Sequence, residues 1–90
     1  MSDKNDFKGW VKRELDDLRR IRDELRVQAH LGRAEMRESW EALERSLNVL
    51  DSKAKRASRA AEPALRQLEQ DVRKLATDLR DGYRRIRDAI

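Results

Sequence analysis

Apolar residues recur at alternating steps of three and four along most of the chain, and this spacing constrains the fold more than any other feature. It places them on one face of an α-helix, and neither of the two apolar stripes alternates with the period of two that a strand requires. The first stripe consists of Val11, Leu15, Leu18, Leu25, Ala29, Gly32, Met36, Trp40, Leu43, Leu47 and Leu50, with Arg22 as an interruption. The second consists of Leu65, Leu68, Val72, Leu75, Leu79, Tyr83, Ile86 and Ile90.

Both stripes are narrow because hydrophobic residues are scarce. They make up 38% of the 90 residues, whereas 44% are charged. A chain this short buries only a modest part of its surface. Two thin helices shield one side of each stripe only, so we expect copies of the chain to associate and remove the remaining apolar area from water.

The position of the turn between the helices stays open within residues 48–63. Pro63 is tolerated at the first position of a new helix, which favours a turn just before it. Asn48 could instead end one helix while Asp51 caps the next. Alanines run through residues 54–64 and favour a third option, an unbroken but kinked helix. Gly32 is a weaker break candidate, since no turn residues flank it and the stripe continues through it unshifted.

These patterns predict a single all-α domain over residues 1–90, with a first long helix over about 6–48, a turn within 48–63 and a second helix to residue 90. The expected architecture is an extended antiparallel helical hairpin, coiled-coil-like, that pairs into a homodimeric four-helix bundle. Ser39 and Ser46 lie beside the first stripe and would permit close helix approach. The predicted oligomer seam consists of Leu15, Leu18, Leu25, Met36, Trp40, Leu43, Leu47, Leu65, Leu68, Val72, Leu75, Leu79, Tyr83 and Ile86.

Residues that carry chemistry are sparse, and the sequence predicts no enzyme, no catalytic or metal site and no cofactor. The chain has no cysteine and one histidine, His30, whose helical neighbours Arg26, Val27, Arg33 and Ala34 include no metal ligand. The three glycines are isolated and form no phosphate-binding loop.

A basic tract over residues 52–60 carries the whole net charge of +4. Its bases are Lys53, Lys55, Arg56 and Arg59, and it contains no acid. Such a concentration of positive charge could bind the phosphates of nucleic acid, an anionic membrane surface or an acidic partner. No interleaved aromatic residue accompanies it, so the tract is a weak nucleic-acid signal. Any such binding would be largely independent of sequence and strongly weakened by salt.

The start MSDKNDFKGW lacks the apolar core of a signal peptide, and no run approaches the roughly 20 apolar residues of a membrane span. We therefore expect a cytoplasmic protein.

The segment ELRVQAHLGRAEMRESWEALE, over residues 24–44, and the ending DGYRRIRDAI resemble short uncharacterised bacterial α-helical coiled-coil proteins. The resemblance implies a bacterial helical protein and carries over no activity, cofactor or site. The predicted function is a non-enzymatic coiled-coil module that self-associates through its leucine-rich seams, with itself or another helical protein as partner. The alternative is a small basic protein that binds nucleic acid or another polyanion through the tract from Lys53 to Arg59.

Overall fold

Three helices of nearly equal length make up the chain. The computed structural model describes residues 4–90, with α1 at Lys4–His30, α2 at Ala34–Arg59 and α3 at Ala64–Ala89. They pack into a bundle of 44 × 18 × 16 Å. The predicted all-α class is confirmed, whereas the predicted two-helix hairpin is wrong, because the chain reverses twice and forms a three-helix bundle.

The first reversal lies at Leu31–Arg33, inside the long helix expected over about residues 6–48. The Leu31 N–H still donates to the Val27 carbonyl at 3.1 Å, but the Gly32 N–H donates to the Ala29 carbonyl, only three residues back, at 3.3 Å. Arg33 is extended, with φ −66° and ψ 162°, and α2 begins after it. A glycine inside a helix costs about 1 kcal/mol of helix stability relative to alanine. Ending the helix at Gly32 therefore sacrifices less stability than ending it at a residue with a higher helix propensity.

The reversal at Gly32 is stabilised by the apolar residues that it allows α1 to bury. Phe7, Leu15 and Leu18 of α1 are buried, and Leu18 has no exposed surface. Burying one such side chain contributes about 1.5–3 kcal/mol, whereas each backbone hydrogen bond lost at the break contributes about 0.5–1.5 kcal/mol. Several buried side chains therefore outweigh a few lost bonds, and tertiary packing overrides the continuous helical pattern.

The second reversal lies between Arg59 and Ala64, inside the 48–63 window. Pro63 directly precedes α3, where the backbone N–H that proline lacks would have had no partner within the helix. The Ala60 N–H donates to the Ala57 carbonyl at 3.3 Å and closes the end of α2. The alternative turn at Asn48 does not occur, because α2 runs unbroken through it.

Helices α1 and α3 run parallel and are joined by two sets of contacts. Near the start of α1, the Arg73 guanidinium lies 4.6 Å from the centre of the Trp10 ring. Two turns further on, Arg80 donates to Glu14 at 2.7 Å and to Asp17 at 2.9 Å. The hydrogen bond from Arg80 lowers the pKa of Asp17 from its usual value.

Helix α2 runs antiparallel to both of the other helices. Arg19 of α1 donates to Asp51 of α2 at 2.8 Å, and Lys53 of α2 lies 3.4 Å from Asp71 of α3. The order is therefore up, down, up, with the ends of α1 and α3 at the same pole as the start of α2.

The interior of the bundle combines most residues of the two apolar stripes with Phe7, Ala57 and Ala76, which belong to neither stripe. The Trp40 ring of α2 lies 5.6 Å from the Tyr83 ring of α3. The buried core consists of Phe7, Val11, Leu15, Leu18, Leu25, Ala29, Trp40, Leu47, Leu50, Ala57, Leu65, Val72, Ala76, Leu79, Tyr83 and Ile86.

A pair of leucine-to-alanine substitutions tests this packing. Leu18 is 0% exposed and Leu31 is 82% exposed, although both belong to the stretch that the sequence predicts as one helix. Leu18→Ala is expected to lower the free energy of unfolding by about 2–5 kcal/mol, because it leaves a cavity in the core. Leu31→Ala is expected to change it by less than about 0.5 kcal/mol. Urea denaturation of both variants measures the difference, and equal losses would contradict the bundle.

Candidate binding surfaces

The predicted oligomer seam is mostly interior to a single chain. Ten of its residues are buried: Leu15, Leu18, Leu25, Trp40, Leu47, Leu65, Val72, Leu79, Tyr83 and Ile86. The other four, Met36, Leu43, Leu68 and Leu75, remain partly exposed, and all four belong to α2 or α3. The premise that one chain leaves both stripes half covered is therefore wrong, because α1 packs back on the other two helices. What remains accessible of the seam lies on α2 and α3.

A groove of about 800 Å³ lies between α2 and α3, and we call it the α2–α3 groove. Its apolar lining includes Met36 and Leu43 from α2 and Ile86 and Ile90 from α3. Small residues separate these side chains and keep the groove open. They are Gly32, Ser39, Ala42, Ser46, Gly82 and Ala89.

Gly82 sets the depth of the α2–α3 groove. A Cβ atom at this position would overlap the side chain of Leu43, so the absence of a side chain lets Leu43 lie against α3. Leu68, Leu75, Gly82 and Ala89 follow one another at steps of seven residues and so share one face of α3. The face of α3 that meets the groove is thus continuous with the two partly exposed leucines of the seam.

Charges of both signs border the α2–α3 groove. Arg33 and Glu35 at the start of α2 and Arg85 on α3 line it together with the apolar residues. Ile90, beside Arg85 at the same pole, is 51% exposed. An apolar strip with a mixed charged border is typical of a protein contact surface.

A buried polar pair lies on the inner side of α2 and α3. The Tyr83 hydroxyl and the Glu44 Oε1 atom are buried and have no hydrogen-bond partner among the residues that the structure describes. The Arg22 Nε atom lies 3.9 Å from that Glu44 oxygen, close enough for an ion pair only. Burial, reinforced by the negative charge of Glu44, raises the pKa of Tyr83 to about 12.

The basic tract forms the last turns of α2, and the structure divides its four charges. Lys53 lies 3.4 Å from Asp71, and Lys55 lies 3.1 Å from Asp51, so both are paired with carboxylates. Arg56 and Arg59 are exposed and form no ion pair with any residue of the described range 4–90. The tract therefore offers two unpaired charges rather than four.

Two lysines that sequence reasoning missed join the basic tract across a second groove. This α1–α2 groove, about 310 Å³, is lined by Lys8 and Lys12 from α1 and by Lys55 from α2. The signal was present in the sequence, because Lys8 and Lys12 are four residues apart and share a helical face. Their proximity to Lys55 follows from the reversal at Gly32, which the periodicity did not indicate.

Within residues 4–90, no group of three or more histidine, cysteine, aspartate or glutamate side chains is arranged to hold a metal ion. The Nδ1–H of His30 donates to the Arg26 carbonyl at 2.8 Å, which fixes the ring at the end of α1. None of the helices in this described range combines the length and the apolar composition that a membrane span requires.

Comparison with known proteins adds no relative. No protein-family model matches the chain, and neither the curated proteins nor the solved structures contain a significant match. The resemblance to short bacterial helical proteins stays a prediction.

Replacing Tyr83, the only tyrosine of the chain, tests the buried polar pair. An unfolded tyrosine loses its proton near pH 10, whereas the folded one keeps it to about 12. The folded state is therefore expected to lose up to about 3 kcal/mol of stability as the pH rises from about 10 to about 12. Tyr83→Phe is expected to lack this loss and to be no less stable at neutral pH, because the hydroxyl has no partner to lose.

Urea denaturation at a series of pH values, together with the absorbance of the tyrosinate, measures both effects. Tyrosinate formation near pH 10 in the folded protein would contradict the buried position.

Proposed function

We propose that this chain is a non-enzymatic protein-interaction module that forms a homodimer, in which the α2–α3 groove of each copy covers that of the other. The observation that carries the proposal is the location of the partly exposed seam residues Met36, Leu43, Leu68 and Leu75. All four lie on the two helices that border the groove. Covering them with a second copy removes apolar surface from water, which stabilises the dimer by about 25 cal/mol for each Å² buried.

The small residues of the groove support helix-to-helix contact. Ser39 and Ser46 are one heptad apart on α2 and line the groove opposite Gly82 and Ala89 of α3. Short side chains let helix backbones approach closely, while Met36 and Leu43 provide the larger surfaces that interlock. The four helices at such an interface, two from each copy, would form the bundle that the sequence predicts, with each α1 packed on the outside.

The mixed charges at the border of the groove suit a two-fold dimer. A two-fold axis parallel to the helices sets the same pole of the two copies side by side, so Glu35 of one copy can lie opposite Arg33 or Arg85 of the other. A border of a single sign would repel its own copy.

The dimensions of the molecule also suit this contact. The long face measures 44 by 18 Å, so a stable interface of roughly 800 Å² per partner would extend from the groove along the whole face, past Leu75 and Leu68. Another helical protein remains the alternative occupant, and the cytoplasmic location expected from the sequence stays a prediction.

Two serine-to-arginine variants on α2 test the proposal. Ser39 lines the groove and Ser52 does not, and both are exposed positions of the same helix. Light scattering after size exclusion at tens of micromolar is expected to give twice the chain mass of 10.7 kDa for the unmodified protein and for Ser52→Arg. Ser39→Arg is expected to give the monomer, because a charged side chain would be buried at the centre of the contact. Circular dichroism confirms that each variant is folded.

A monomeric mass for the unmodified protein would reject the homodimer. Dimers of equal stability in both variants would place the contact elsewhere.

A further inference from the structure

The α1–α2 groove brings together positive charges that lie far apart in the sequence. Lys8 and Lys12 stand one turn apart on α1, and Lys55 stands across the groove on α2. Arg59 follows Lys55 by four residues, so it extends the row of charge on the α2 side by one turn. Two cationic rows thus border the groove at the pole opposite the end of α3.

The carboxylates within the groove are already neutralised. Asp51 binds Arg19 at 2.8 Å and Lys55 at 3.1 Å. Asp16 lies 3.9 Å from Arg19. Lys8, Lys12, Arg56 and Arg59 are exposed and form no ion pair in the described part of the chain, so their charge is available to a ligand.

The surroundings of the groove indicate which kind of anion fits. Phe7, on the floor, is only 2% exposed, and Arg73 covers Trp10, so neither ring is free to stack on a nucleotide base. The exposed large aliphatic residues of the described chain are Val27, Leu31, Val49 and Ile90, and none lines this groove. Without an exposed apolar anchor, insertion into a membrane surface is disfavoured. The positive charges are therefore the feature of the groove that recognises a ligand. The regularly spaced phosphates of a rigid duplex fit these charges best.

We propose that the α1–α2 groove binds the phosphate backbone of double-stranded nucleic acid, independently of base sequence, through Lys8, Lys12 and Arg59. The site does not depend on the homodimer, because all three side chains belong to one chain and lie outside the α2–α3 groove. It differs from the tract predicted from the sequence, because Lys53 is paired with Asp71, Lys55 is paired with Asp51, and α1 contributes two of the three cations.

Fluorescence anisotropy with two labelled duplexes of unrelated sequence tests the site across a series of salt concentrations. Both duplexes are expected to bind equally, with a slope of log affinity against log salt of about −3 for three phosphate contacts. The double variant Lys8→Gln, Lys12→Gln is expected to bind more weakly and to reduce the slope by about 2. The control Arg45→Gln, Lys74→Gln removes the same charge from exposed positions outside the groove and is expected to keep the slope of the unmodified protein.

Three results would overturn the proposal: no duplex binding at low salt, equal losses in the two double variants, or binding to phosphatidylserine vesicles without binding to duplex. Light scattering on the same samples separates this site from the homodimer. The Lys8→Gln, Lys12→Gln variant is expected to keep the mass of the unmodified protein whether or not it binds the duplex.

Discussion

The packing of α1 against the other two helices is the interaction on which the rest of the structure depends. Its apolar residues, with Leu18 fully enclosed, reach the core only because the chain reverses at Gly32. Without that reversal, residues 4–59 would continue as one helix whose first half has no partner within the chain. The Arg80 contacts with Glu14 and Asp17 then hold α1 in register along α3. One glycine at a low-cost break position thus converts a long helix into a bundle.

The packing of α1 against α2 and α3 determines which surfaces of the bundle stay accessible to partners. Because α1 covers one side of the α2–α3 pair, the accessible seam residues are confined to the other side, where Gly82 and the serines of α2 leave a groove. The same reversal brings Lys8 and Lys12 beside Lys55. An apolar groove and a cationic groove are therefore consequences of one folding event, and they occupy different pairs of helices.

Pro63 favoured a turn where the chain reverses between α2 and α3, although the alanines of residues 54–64 left an unbroken helix open. Helical periodicity sufficed to predict the all-α class and most residues of the core. Periodicity did not predict the break at Gly32. The apolar residues on either side of Gly32 keep the same helical spacing whether one helix continues or two helices pack against each other. The choice depends on contacts between Leu18 and distant residues, which local spacing does not encode. The spacing identifies the seam residues as apolar but does not give the number of helices that share the core, so it assigns to an interface residues that a third helix buries. Lys8 and Lys12 were missed for the same reason, as only the reversal places them beside α2.

The distance between α1 and α2 within one chain tests the central claim most directly. The chain has no native cysteine, so spin labels can be placed at Arg20→Cys and Ser52→Cys, next to the contacting pair Arg19 and Asp51. Electron paramagnetic resonance on the doubly labelled protein, diluted with unlabelled protein, reports the separation within single chains. The bundle predicts about 20 Å or less, which matches its width of 18 × 16 Å plus the label arms. A separation near 48 Å, the length of 32 helical residues, would show that the helix runs on through Gly32 and would contradict the account.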